Sequence, residues 1–447
     1  MDGRYIVSPI ISVLQSLAGR FRRSTFVHNT AKVAGGTAAA QLITLAASPV
    51  LTRLYTPEAF GYLGIFLAIA LPLSVFATLR YDVAIVLPAE DRNAANLFVL
   101  SLGIAIVTSL LTALGGWAFR AEIGGLLGVP VFAAYFWTIP VMVLVAGAFA
   151  ASRHWMIRKK HFGTMAIFTP AAAGTGSFFK IGAGLYSGSA LFLIIGNIGI
   201  QAIQSAVWMW KSTRDGLPQL IRETRPAAIR NIAARYRDFP CFRMPQDLLS
   251  AIYQNAPGLL FAYYYTPAAV GLYLVAIRVL QVPGALISGS VRTVFYQRAA
   301  EVSEDRARLF REFRQKTLTL VVIGLPLFLA IALISPFAFG FVFGAEWRAA
   351  GGTASWLCIW IFAGFISTPA LGVIPVVALQ KHYLIFEGSL AVLAVLLLVI
   401  AGQHLEFQTT VAAFSVLNGL AYGALMAGIW IFLKRTPNAD QNSALRA

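Results

Sequence analysis

The chain is poor in charge. Of its 447 residues only 12% are Asp, Glu, Lys or Arg, whereas 58% are hydrophobic, and the mean hydropathy is +0.73. A soluble chain of this length needs roughly twice that charge to cover its surface. A soluble fold is therefore excluded, and a polytopic membrane protein is indicated. Cysteine is also scarce: Cys241 falls in a basic loop and Cys358 in an apolar run. That leaves no disulfide framework, zinc set or redox pair, and no cofactor is implied. The five histidines, His28, His154, His161, His382 and His404, sit near the ends of apolar runs. There is no G-x-x-x-x-G-K-[ST], H-E-x-x-H or G-x-S-x-G, so nucleotide-driven and hydrolytic mechanisms lack a motif. Acidic residues number 18 against 35 Lys and Arg, a net +17. In a soluble protein that excess would suggest nucleic acid. In a membrane protein it is what loops retained in the cytoplasm collect, and no nucleic-acid partner is read.

What is present is a series of apolar runs of about 20 residues, the length at which a helix crosses roughly 30 Å of hydrocarbon. They fall at 30–53, 59–83, 95–117, 131–152, 163–186 and 189–210, then at 244–265, 268–295, 317–343, 352–379, 383–402 and 409–433. Twelve spans divide six and six. Pro49, Pro72, Pro140, Pro170, Pro257, Pro283, Pro326, Pro369 and Pro375 lie inside them, as membrane helices allow where neighbours satisfy the freed carbonyls. Residues 1–29 place Ile10, Leu14, Leu17 and Phe21 at helical spacing before Arg20, Arg22 and Arg23. A signal peptide has the reverse order, so an amphipathic cytoplasmic segment is expected. Residues 211–243 hold eight Lys and Arg with Pro218, Pro226 and Pro240, and read as a basic linker touching anionic headgroups. The expected organisation is thus a segment 1–29, a lobe 30–210, the linker 211–243, a lobe 244–433 and a tail 434–447. With both termini in the cytoplasm, about thirty of the 35 basic residues lie on that side, as the positive-inside rule requires. Six spans per half make the halves parallel repeats, a plan used by transporters that rock two bundles about a central site.

Two echoes support duplication. Tyr55-Thr-Pro-Glu-Ala-Phe-Gly61 recurs 210 positions on as Tyr265-Thr-Pro-Ala-Ala-Val-Gly271, with five of seven residues identical. Each copy is a turn opening a long apolar helix, with Pro at the first helical position, where its missing N–H costs nothing. Lys160-His161-Phe162 is echoed by Lys381-His382-Tyr383 at an offset of 221.

Charges inside spans are the informative residues, because each costs about 2.5–3.5 kcal/mol to insert. Arg278 lies ten residues into its span, ~15 Å at the helical rise and near the midplane. It should face an aqueous cavity or a partner helix. Lys180 is one to two turns from the outer surface, where snorkelling competes with function. Arg80 and Asp82, two residues apart, point to different faces and should pair across helices, not with each other. Amides cluster as Gln41, as Asn197, Gln201 and Gln204, and as Gln254 and Asn255. Such groups commonly join helices; Gln41 and Asn255, deep in the first helix of each half, are the candidates for cargo contact. The intramembrane acids Asp82, Asp247 and Glu387 are candidates for coupling to a proton or sodium ion. Outside loops are about a dozen residues or fewer, too short to build an enzyme site.

Leu51-Thr-Arg-Leu-Tyr-Thr-Pro-Glu-Ala-Phe-Gly61, Leu79-Arg-Tyr-Asp-Val-Ala-Ile-Val-Leu-Pro88 and Val270-Gly-Leu-Tyr-Leu-Val-Ala-Ile-Arg278 with Pro283 resemble the polysaccharide transporters of the MOP exporter superfamily. These are the flippases of O-antigen, lipopolysaccharide and capsule or exopolysaccharide assembly, and the resemblance covers most of 30–433. It implies an all-α fold of about twelve transmembrane helices in two parallel six-helix lobes around a cationic cavity. It also implies transfer of an undecaprenyl-pyrophosphate-linked oligosaccharide across the inner membrane, beside a polymerase and chain-length regulator. Arg278, Lys180 and Arg80 would then hold pyrophosphate, which Arg can bind bidentately. Two other classes share parts of this description. Multidrug antiporters of the superfamily have the same helix plan but export cations through acidic cavities, whereas the deepest charge here is positive. Polysaccharide polymerases and ligases are equally hydrophobic but typically carry large periplasmic loops.

Overall fold

The computed structural model describes residues 25–126, 134–302 and 305–435. The expected amphipathic segment, through residue 24, and all but the first two residues of the expected tail lie outside the described residues. Twelve long helices form: α1 (Thr25–Leu54), α2 (Pro57–Phe76), α3 (Asp91–Leu126), α4 (Thr138–Arg158), α5 (Phe162–Tyr186) and α6 (Ala190–Arg214), then α7 (Met244–Tyr264), α8 (Pro267–Glu301), α9 (Arg306–Phe343), α10 (Arg348–Ile366), α11 (Gln380–His404) and α12 (Phe407–Arg435). Among the described residues, nine stretches are long and apolar enough to cross a membrane. The long helices outside that set are α5, α7 and α8, which carry Lys180, Gln254 with Asn255, and Arg278.

The packing repeats. In the first six helices α1 packs on α5, α2 and α3 on α4, and both α4 and α5 on α6. In the second six α7 packs on α11, α8 and α9 on α10, and both α10 and α11 on α12. These are two parallel lobes of one plan. The twelve expected spans all correspond to helices, with shifted ends. The α2 helix stops at Phe76, seven residues early, because Leu79 and Arg80 take left-handed backbone (φ 47° and 64°). The α10 helix ends at Ile366, and a short helix Thr368–Val373 completes that span. One expected register is corrected. The left-handed turn residues before α5 and α11 are Lys160 and Ala378, 218 positions apart, so the Lys-His echo at 221 is out of structural register. Segment 215–243 is not loose: it forms helices Leu217–Arg222 and Pro226–Arg235 and a π-helical turn Phe239–Arg243. Leu217 and Ile232 bury themselves against Phe98 and Trp155 of α3 and α4. We call that side of the bundle the linker end, and the side with the turns before α2, α6, α8, α10 and α12 the motif end.

The duplicated motifs meet at the motif end. Thr56 and Thr266 cap α2 and α8, accepting from the amides of Ala59 (3.4 Å) and Ala269 (3.3 Å). The two helices then cross so closely that a Cβ on Gly61 would lie 1.8 Å from the carbonyl oxygen of Pro267, and one on Gly271 2.0 Å from that of Pro57. Glycine is required on both sides because the obstacle is backbone, which cannot swing aside. The seal is widened by Trp347, fully buried, which donates its indole N–H to the carbonyl of Thr52 (2.8 Å) and meets Phe60 edge-on with centroids 5.1 Å apart. Gly61→Ala should therefore lower the melting temperature of the detergent-purified protein by the equivalent of about 1–3 kcal/mol of overpacking. Gly182→Ala, where nothing lies within 4 Å, should not lower it.

Candidate functional site

Beyond that seal the lobes diverge around a cavity of about 860 Å³, lined from α1, α2, α5 and α6 on one side and α8, α10, α12 and Thr368–Val373 on the other. Leu51, Thr52 and Phe60 end it at the motif end; Thr37, ~21–23 Å away along α1 at 1.5 Å per residue, marks its reach towards the linker end. The cover is uneven. Helix α2 packs along α7, whereas the equivalent pair, α8 and α1, meets only sparsely. The cavity is thus thinly walled between α1 and α8.

Its electrostatics are one-signed. Lys180 and Arg278 both line it, and none of the described lining residues is acidic. Lys180 is 3% exposed, and its stem lies in a slot left by Gly196, where a Cβ would come 2.4 Å from Lys180 Cγ. The adjacent backbone is fixed by Tyr55, whose hydroxyl donates to the Lys180 carbonyl (2.7 Å). Arg278 is half-buried on α8. Among the described residues neither cation has an ion-pair partner. Two like charges held out of bulk water without a counter-ion attract an anion strongly.

Of the other residues singled out from sequence, Gln41 lines the same cavity. Asn255 does not; its amide donates to the carbonyl of Ala251 (2.8 Å), within its own helix. Arg80 is also elsewhere, at the linker end, where its Nε lies 2.7 Å from Asp247 of the other lobe. Asp247 meets Arg243 as well (3.1 Å), and with Glu387 it lines a separate pocket of about 100 Å³ between α7 and α11. Asp82, fully buried, accepts from the Thr78 hydroxyl, and its other oxygen lies 3.1 Å from Nδ1 of His154. Arg80 and Asp82 thus face different partners, as their spacing requires. Sequence reasoning passed over Gln281 and Tyr422, which also line the cavity, and did not select Asn197 or Gln204, which do too. A spacing cue existed: Gln281 is three residues from Arg278 and Gln204 seven from Asn197, so each pair shares a helix face.

Burial pushes the Asp82 carboxyl upward, but the hydrogen bond and charge of His154, the Thr78 hydroxyl and the nearby Arg80 outweigh it and hold its pKa below 3.8. A depressed carboxylate contributes stability that is present above its unfolded value and lost as pH falls through the folded one. Asp82→Asn should therefore lower the melting temperature at neutral pH, and the deficit relative to wild type should shrink below about pH 3.8.

A cation-lined cavity thus lies between two lobes of membrane-length helices. The family profile described as "Polysaccharide biosynthesis protein" matches residues 50–351, and the chain belongs to that family. No curated protein matches it. Among solved structures, a multidrug resistance MATE transporter of the MOP superfamily in an inward-facing conformation is similar with TM-score 0.69 at 13% identity, covering 89% of this chain and 96% of that one. The lipid II flippase MurJ in an inward closed conformation is similar with TM-score 0.67 at 15% identity, covering 89% and 86%. A eukaryotic MATE transporter gives 0.60 at 13%, covering 95% and 99%. At these identities the likeness establishes the shared fold.

Proposed function

We propose that this chain is a flippase that carries an undecaprenyl-pyrophosphate-linked oligosaccharide from the cytoplasmic to the periplasmic leaflet of the bacterial inner membrane. The observation that carries this reading is the cavity's paired, unneutralised Lys180 and Arg278 with no lining carboxylate among the described residues. A pyrophosphate must leave water to cross, and a guanidinium beside an ammonium replaces its lost hydration. An organic cation would be repelled by the same pair. The sparse wall between α1 and α8 supports a lipid cargo, since a polyprenyl tail could stay in hydrocarbon while its head group occupies the cavity. Membership of a polysaccharide biosynthesis family supports a glycan head group, of the kind used for O-antigen, lipopolysaccharide or exopolysaccharide.

On this reading both termini and the basic linker 211–243 face the cytoplasm, near anionic lipid headgroups. The lobes are 30–210 and 244–433, and a polymerase and chain-length regulator act on the product. The Gly61–Gly271 seal then closes the periplasmic end, and the structure corresponds to the loading state of an alternating-access cycle. Glu387 is the coupling candidate left without an ion-pair partner among the described residues, since Asp82 and Asp247 are both engaged.

In a strain whose surface glycan depends on this chain, Arg278→Ala should abolish surface polysaccharide and accumulate lipid-linked repeat units at normal protein abundance. Lys180→Met should reduce export in the same direction. Unaltered surface glycan in both variants would overturn the proposal.

A further inference from the structure

The cavity is layered. Counted along each helix from the motif end at 1.5 Å per residue, Lys180 lies ~9 Å deep and Arg278 ~16 Å. Next, at ~20–22 Å, come Gln41 of α1, Gln204 of α6, Gln281 of α8 and Tyr422 of α12. All four line the cavity, two from each lobe. The carboxamides of the three glutamines differ from those of Asn197, Asn255 and Asn418. Asn197 and Asn255 each donate to a carbonyl one turn back in their own helix (both 2.8 Å), and Asn418 is held by Phe414 and Tyr253. Gln41, Gln204 and Gln281 make no hydrogen bond to protein among the described residues, although Gln204 is only 6% exposed. Amides that serve as helix glue are bonded across or along helices. Three unbonded amides at one depth, on the linker side of two cations, are instead free to receive a cargo.

We propose that this belt is the specificity site for the sugar joined directly to the pyrophosphate. The inference rests on the reading of Lys180 and Arg278 as the pyrophosphate site. A carboxamide both donates and accepts, so it matches the hydroxyl and acetamido groups of a pyranose, which do the same. The order along the cavity also fits, because a pyrophosphate at the cations places its first sugar at the adjoining layer. Thr37, Thr44 and Ser48, on the same side of α1, spend their protons on carbonyls one turn back (3.0, 2.9 and 2.9 Å). Their oxygens are left as acceptors for sugar hydroxyls. Discrimination then comes mainly from polar groups left unpaired when the wrong sugar, or none, is present.

The test is binding of two probes to the full-length protein in nanodiscs, read by native mass spectrometry: undecaprenyl pyrophosphate and undecaprenyl-pyrophosphate-linked N-acetylglucosamine. Wild type should prefer the sugar-bearing lipid by about tenfold, the worth of one or two net hydrogen bonds. Gln204→Leu and Gln281→Leu should each cut that preference severalfold while leaving affinity for the bare lipid unchanged. Arg278→Ala should weaken both probes together. Equal binding of the two probes by wild type, or equal weakening of both by the glutamine variants, overturns the belt and leaves the pyrophosphate reading intact. Failure of wild type to bind either probe overturns the pyrophosphate reading itself, and the belt falls with it.

Discussion

The arrangement depends on one close crossing. Helices α2 and α8 approach until Gly61 and Gly271 each sit against the other motif's proline carbonyl, and no side chain can be admitted there. Because the two motifs are copies, the contact is reciprocal, and each lobe closes the other. Everything below follows from where that crossing lies. It holds the lobes together at one end, so they part towards the other, and the space between them is the cavity. Trp347 and Phe60 pack over the same end and make the closure aromatic and dry.

Within that space the chain keeps charge of one sign. Elsewhere several charges are paired: Asp91 with Arg158 and Lys159, Asp215 with Lys211, Asp247 with Arg80 and Arg243. Lys180 and Arg278 are left without acids among the described residues. An unneutralised pair is costly in an apolar surround, and the cost is understandable when an anionic cargo relieves it. The arginine at the linker end does a different job. Arg80 ties the left-handed loop after α2 to α7, bracing the lobes on the side opposite the thin α1–α8 wall.

Much of this was legible in the sequence. The twelve apolar runs correspond to twelve helices among the described residues, nine of which have the length and hydropathy that a bilayer demands of a helix. The Tyr-Thr-Pro motif located the turns, because capping and proline chemistry are local. Arg278 announced itself by being a charge at mid-span. What stayed hidden is what depends on neighbours. Arg80 resembled a cavity cation until Asp247, 167 positions away, was found beside it. Asn255 was deep, yet its amide turned back on its own helix. The Lys-His echo misled by three residues because similar side chains recur near a membrane boundary whatever the register. Gln281 lay one turn from Arg278 and was overlooked for want of a charge.

The most direct measurement is leaflet transfer by the purified chain in proteoliposomes, with a fluorescent undecaprenyl-pyrophosphate-linked saccharide protected or exposed to a membrane-impermeant quencher. Transfer well above that in protein-free vesicles is expected, and it should be lost in Arg278→Ala. Transfer no faster than in empty vesicles, from protein shown to be folded and inserted, would contradict the flippase reading.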